Sequence, residues 1–201
     1  MAKRVYIETV GCQMNILDSE LVAASLLGSG YELTDTPRKA DVVLFNTCSV
    51  RQHAEDKIYS ALGRLKHVKQ HHPHKIIGVL GCMAQKDRER IFQRAPHVDL
   101  VLGPGQLEQV PALLDAIASG GGPRMEVGLD RRAASRAAVQ ESFARYDPLR
   151  TVEARPDRHQ AMVRIMFGCD NFCTYCIVPS VRGPEQSRPA EDIVSEVRRL
   201  A

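Results

Sequence analysis

Residues 76–95 read IIGVLGCMAQKDRERIFQRA: an apolar run, a glycine–cysteine turn, then a helical pattern. The uncharged run predicts a strand at Ile76–Leu80 that is buried on both faces, as strands of parallel sheets are. A helix is expected to follow at Asp87–Ala95. The same unit recurs on either side. Upstream, Arg4–Val10 is a β-branched and aromatic run ahead of a helix at Ile16–Leu27 that stops at Gly28. Val42–Phe45 is a short apolar strand ahead of a helix at Ala54–Val68, where Ile58, Leu62, Leu65 and Val68 fall three or four apart. Downstream, Val98–Leu102 reads as a strand and Leu107–Ile117 as a closing helix. Strands separated by helices of this length predict an α/β domain over residues 1–118. Its parallel sheet, flanked by helices, is of Rossmann or flavodoxin-like type.

The run SGGGP (119–123) ends that domain. Residues 119–160 are read as a linker, polar and rich in Arg and Ala, with a hairpin around Met125–Leu129. A mixed solvated segment and an RNA-facing surface both fit it. Ala161–Phe167 is an alternating strand leading into a cysteine loop. Pro189–Leu200 reads as a helix with Ile193, Val197 and Leu200 on one face. Residues 161–201 thus open a (β/α) barrel, a fold that takes about 200–250 residues. The expectation is one whole domain plus the first unit of a second, truncated one.

A chain of 201 residues, 44% hydrophobic and 25% charged, has the balance of a soluble globular protein. No apolar run approaches the ~18 residues of a membrane span. The N-terminus MAKRVYIETVGC lacks the apolar core of an export signal, so the reading is cytoplasmic and without a membrane partner. In that compartment six cysteines are metal ligands rather than disulfides. The net charge of +3 permits a nucleic-acid partner without demanding one.

In GCDNFCTYC (168–176), Cys169, Cys173 and Cys176 are spaced C-x3-C-x2-C. Three thiolates in one short loop can hold three irons of a cubic [4Fe-4S] cluster and leave the fourth open to a substrate or cofactor. Structural zinc would want a fourth Cys or His, and His159 is poorly spaced for it. The other cysteines, Cys12, Cys48 and Cys82, each follow a predicted strand. All strand C-termini of a parallel sheet lie along one edge, where open α/β folds bind ligands. Their contexts GCQMN, NTCSV and GCMAQ supply the Gly and small polar residues of tight turns that bring backbone close to a ligand. Buried cysteines at ordinary strand ends are the alternative. A second three-cysteine cluster accounts better for their shared position.

The C-x3-C-x2-C triplet, with Tyr175 before its last cysteine, resembles the signature loop of radical S-adenosylmethionine enzymes. With Cys12, Cys48 and Cys82 ahead of it, the chain resembles the methylthiotransferases of that superfamily. The segments ETVGCQMNILDSE (8–20), FNTCSVRQHAEDKIYSALGRLK (45–66), GVLGCMAQ (78–85) and GCDNFCTYCIVPSVRGPEQSRP (168–189) carry the likeness. The resemblance implies two [4Fe-4S] clusters, an auxiliary one on Cys12, Cys48 and Cys82 and a radical one on Cys169, Cys173 and Cys176. It implies that S-adenosylmethionine lies near Tyr175 and that a C–H bond becomes C–S–CH3. It further implies a tRNA anticodon stem-loop as partner, an electron donor such as flavodoxin or ferredoxin, a sulfur source, and a monomer. GCQMN with DSE, and NTCSVR with LGRLK, look most like the branch that modifies isopentenyladenosine beside the anticodon. Other branches act on threonylcarbamoyl-adenosine or on a ribosomal protein. Ser180 departs from the family, which places an aromatic there. A non-catalytic iron–sulfur scaffold and a redox sensor are rivals of another class, and a fragment of this length is expected to be inactive alone.

Arg182 and Arg188 suit an anionic partner such as the cofactor carboxylate or an RNA backbone, with local ion pairing as the alternative. His71, His72 and His74, with Lys69 and Lys75, read as a solvated cationic cap on a helix C-terminus. Asn15 is expected to start the first helix, and Gln13 to shape the nearby pocket.

Overall fold

Val42, Val43, Leu44 and Phe45 are all buried, because the strand that holds them sits in mid-sheet with helices on both faces. The computed structural model of the protein describes residues 2–50, 52–128 and 159–201. Its first part runs β1 (Arg4–Val10), α1 (Gln13–Gly28), β2 (Glu32–Leu33), β3 (Val42–Thr47), α2 (Gln52–His71) and β4 (Ile76–Leu80). Then come α3 (Cys82–Asp87), α4 (Glu89–Arg94), β5 (Leu100–Leu102), a 3-10 turn at Leu107–Gln109, α5 (Val110–Ala118) and β6 (Arg124–Glu126). The six strands form one sheet in the order β2-β1-β3-β4-β5-β6, every pair parallel.

Strand alternation sorts the core into two layers. Val5, Leu44, Leu80, Leu100 and Leu102 pack with Leu17, Leu21 and Leu26 of α1 and Leu114 of α5. Val43, Phe45, Ile77, Val79 and Val101 pack with Ile58 and Leu62 of α2, Met83 of α3 and Ile91 of α4. Gly78 lets the first layer close: a Cβ there would stand 2.7 Å from Leu44 Cδ2.

Several expectations change. The segment around Met125 is not a hairpin but β6, paired in parallel with β5, while Leu129 and the rest of 129–158 lie outside the described residues. The helix expected at Asp87–Ala95 starts earlier, at Cys82, and is broken at Arg88, whose φ is 47°. Lys69 and Lys75 are structural rather than solvated. Lys69 Nζ donates to both Asp99 oxygens at 2.9 and 2.8 Å, and Asp99 also accepts the Ile77 N–H at 2.8 Å. Lys75 is buried, donates to the carbonyls of Pro37 and Ala40, and is pushed below the ordinary amine range mainly by burial. His71, His72 and His74 remain exposed.

The second part comprises β7 (Met166–Phe167), α6 (Val178–Arg182), β8 (Gln186–Ser187) and α7 (Ala190–Leu200). Only the end of the strand expected at Ala161–Phe167 forms, and it pairs antiparallel with β8. No helix among the described residues is long and apolar enough to cross a membrane.

Tyr31 bonds to Asp115 of α5 at 3.1 Å and Tyr59 to Asp87 of α3 at 2.8 Å. Burial first, then these carboxylates, push each phenol from 10.0 to about 12. A raised folded-state value favours the neutral phenol in the fold. Its stability contribution is therefore complete below pH 10 and is lost as pH rises through about 12. An ultraviolet phenolate titration should show two tyrosines ionising late, coincident with loss of secondary structure. Complete ionisation near pH 10 with the fold intact contradicts this coupling.

Candidate functional site

The cysteines Cys12, Cys48 and Cys82 stand at the C-terminal ends of β1, β3 and β4, neighbours in the sheet. Val10 pairs with Thr47, and Asn46 with Leu80, so the three strands stop at nearly one level. The Cys48 N–H donates to Val10 O at 3.0 Å, which ties the second loop to the first.

Two buried asparagines organise this edge. Asn15 Nδ2 donates to Asn46 Oδ1 at 3.0 Å, and Asn46 Nδ2 donates to Asn15 O at 2.9 Å and Ser19 Oγ at 3.0 Å. Asn15 Oδ1 accepts from the Cys12 N–H and from its thiol, both at 3.3 Å. Cys12, not Asn15, is therefore the N-cap of α1, and Asn15 at the third helical position completes the capping box. The glycines before the cysteines follow from the same pair. A Cβ on Gly11 would meet Asn15 Oδ1 at 2.4 Å and Cys48 Cβ at 2.9 Å. A Cβ on Gly81, whose φ is +87°, would meet Asn46 Oδ1 at 2.3 Å.

The thiols differ in environment. Cys12 is exposed beside exposed Gln13, whereas Cys48 and Cys82 are buried. Cys48 Sγ accepts the Val50 N–H at 3.3 Å. Burial raises the Cys82 thiol above its ordinary range, opposed by the nearby Arg182 guanidinium. Arg182 comes from α6, at the far end of the chain. It is 4% exposed, forms a 2.5 Å ion pair with Asp18 of α1 and stands close enough to the Cys82 thiol for the two to interact electrostatically. Burial opposes its charge, but Asp18 and then Cys82 hold it firmly protonated.

The second triplet lies between β7 and α6. The Cys169 N–H donates to Gly183 O at 3.1 Å, and the Cys176 N–H to Cys173 O at 2.9 Å. Gly168, at φ +74°, is pressed against Pro184 O, where a Cβ would stand at 2.0 Å. Phe172, Cys173, Thr174, Cys176, Pro179 and Ser180 line an open hollow of about 350 Å³. Tyr175 is 94% exposed at the loop tip. Arg188, expected at an anionic partner or in a local ion pair, makes the ion pair: it bonds buried Glu196 of α7 and donates to Arg164 O at 3.1 Å.

Among the described residues no three His, Cys, Asp or Glu side chains stand close enough to grip one metal ion. A cubic cluster takes one thiolate at each of several separate irons, so it spaces its ligands more widely than a single ion does. Sequence reasoning missed Asn46 and the Asp18–Arg182 pair. Both carried a signal: Asn46 closes an otherwise apolar strand, and Asp18 lies among Leu17, Leu21 and Val22 on a buried face of α1.

Residues 4–103 match a family described as Uncharacterized protein family UPF0004. Over all 201 residues the chain is 57% identical to the tRNA-2-methylthio-N(6)-dimethylallyladenosine synthase of Rhodopirellula baltica, of which it covers 42%. It is 43% identical over 203 residues to the protein of that name from Burkholderia cenocepacia, and 44% to that from Burkholderia ambifaria, covering 41% of each. The chain thus spans about two fifths of the length of these curated relatives.

The steric argument at Gly81 is testable in urea melts. Gly81→Ala, strained in φ and pressed on Asn46, should cost about 1–3 kcal/mol. Gly28→Ala, with nothing within 4 Å of its Cβ, should be neutral or stabilising. Equal midpoints for the two variants would overturn the asparagine clamp.

Proposed function

We propose that the chain belongs to the methylthiotransferase family and carries the first part of a tRNA methylthiotransferase. The substrate is N6-isopentenyladenosine beside the anticodon, and the product its 2-methylthio derivative. The observation that carries this reading is the row of cysteines closing the adjacent strands β1, β3 and β4, with α6 of the second cysteine segment reaching that row through Arg182.

In this reading Cys12, Cys48 and Cys82 hold an auxiliary [4Fe-4S] cluster, and Cys169, Cys173 and Cys176 a radical one. The donor set fits such a group. Six thiols without disulfide partners fall into two triplets. Thr47 Oγ1 and Ser49 Oγ, either side of Cys48, are buried hydroxyls without a hydrogen-bond partner, and both can donate to a sulfide-rich ligand. When bound, the clusters and S-adenosylmethionine supply the sulfur, the methyl group and the C–H activation of the reaction.

The protein residues have narrower roles. The asparagine clamp fixes the turns that present Cys12 and Cys82. Tyr175, exposed at the tip of the second loop, offers a ring face for stacking on an adenine. The hollow beside Cys173 and Cys176 leaves room for a small ligand at that loop. The tRNA anticodon stem-loop, a flavodoxin- or ferredoxin-type reductant and a sulfur source are the partners this chemistry requires.

Anaerobic reconstitution should load about eight irons per chain, four for each cluster. Replacing Cys169, Cys173 and Cys176 by Ala should leave about four, and so should replacing Cys12, Cys48 and Cys82. Total loss in either variant, or no loss, contradicts two separate sites. Mass spectrometry of nucleosides from tRNA incubated with the longer protein should show a methylthio group on isopentenyladenosine. Its appearance on threonylcarbamoyl-adenosine would reassign the substrate. Iron loading without any product would favour a scaffold.

A further inference from the structure

Arg182 has a place that its sequence position does not announce. It ends α6, six residues after the second cysteine triplet, yet its guanidinium lies in the first cysteine site. There it meets Asp18, 164 residues earlier in the chain, at 2.5 Å, and stands near the Cys82 thiol, since α6 packs on α3, the helix that Cys82 begins. Phe167 of β7 backs the guanidinium at 5.6 Å. Asp18 is fully buried beside Asn15, so the charged pair has been withdrawn from water.

A buried ion pair is poor evidence for stability, because the desolvation of both charges offsets their attraction. An apolar pair of similar volume would join α1 to α6 about as well. What it would lack is a fixed cationic donor at the Cys82 sulfur. Arginine suits that role, because its fork can hold the carboxylate with one edge and still donate elsewhere. Asp18 then acts as the orienting group, in the way outer carboxylates fix the groups around a metal site.

We infer that Arg182 is a positioning residue of the first site: oriented by Asp18, it donates to the Cys82 sulfur and raises the reduction potential of an iron–sulfur cluster bound there. The inference rests on the reading of Cys12, Cys48 and Cys82 as ligands. A reduced cluster carries one more negative charge, and a donor aimed at a ligand sulfur stabilises that form over the oxidised one. It also makes the second segment a part of the first site, so that docking of α6 and the redox poise of the Cys82 cluster change together.

The test uses the reconstituted chain with Cys169, Cys173 and Cys176 replaced by Ala, so that one cluster gives the whole signal. In this background Asp18→Asn with Arg182→Met removes both buried charges together and preserves packing volume. Arg182→Lys keeps the charge but offers a single point donor. A redox titration followed by electron paramagnetic resonance should place the midpoint of the double variant below that of its parent, with Arg182→Lys between them. Cooperative thermal melting of each variant checks the fold. An unchanged midpoint in a folded, loaded double variant would overturn the role of Arg182 and leave the ligand reading standing. Should the parent take up no iron, the ligand reading fails instead, and the metal-free chain still tests the clamp. Alkylation of buried Cys82 relative to Cys48 should then run several-fold faster in the double variant. Equal relative rates would show that Arg182 does not hold Cys82.

Discussion

The Asn15–Asn46 pair is the constraint on which the cysteine edge depends. A fully buried amide must find partners for its donors and acceptor, or it destabilises the fold. Here the two side chains satisfy one another, the Asn15 carbonyl, Ser19 and the Cys12 cap. The turns at Gly11 and Gly81 lie directly against that network, which is possible only because neither residue carries a Cβ. Cys12 and Cys82 follow those glycines directly, and Cys48 is tied to Val10. A polar contact between a helix and the central strand thus sets the positions of thiols from three separate loops.

Much of the fold is legible in the sequence because parallel strands buried on both faces have a simple signature. Ile76–Leu80 has the same limits in the apolar pattern and in the structure. What is illegible has physical reasons. β2 and β6 are edge strands of two and three residues with charged, exposed positions, and nothing in their own side chains demands a sheet. They form because β1 and β5 present unpaired backbone edges. The break at Arg88 depends on how α3 and α4 each turn Met83 and Ile91 into one core layer. The shared position of Cys12, Cys48 and Cys82 can be inferred, since topology alone puts every strand end on one edge. The Asp18–Arg182 contact cannot, because it is decided by how α6 docks.

The two edges of the sheet use charge in opposite ways. At the N-terminal edge Lys69 and Asp99 pair across α2 and β5, Asp99 caps the Ile77 N–H, and Lys75 is held by carbonyls of the loop before β3. Each of these contacts joins neighbouring backbone segments, and together they staple the ends of the strands. At the C-terminal edge Lys86 of α3 pairs with buried Glu55 of α2, and the buried Asp18–Arg182 pair joins parts of the chain that have no backbone connection nearby. Loops at this edge are fixed by amides and glycines instead.

That division has a consequence for how the molecule can change. Residues stapled near strand starts gain stability from local contacts that do not involve the second segment. The cysteine edge takes a buried ion pair from α6, and α6 is held to the preceding loop by the Cys169 N–H on Gly183 and by the crowding of Gly168 against Pro184. A displacement of the second triplet is therefore transmitted to Arg182 within a few residues, and from Arg182 to Asp18 and Cys82. The reverse path holds as well, since two sites coupled through one contact must affect each other equally in binding free energy. On the proposed reading of the two triplets as cluster sites, loading of either should bias the other through this buried guanidinium.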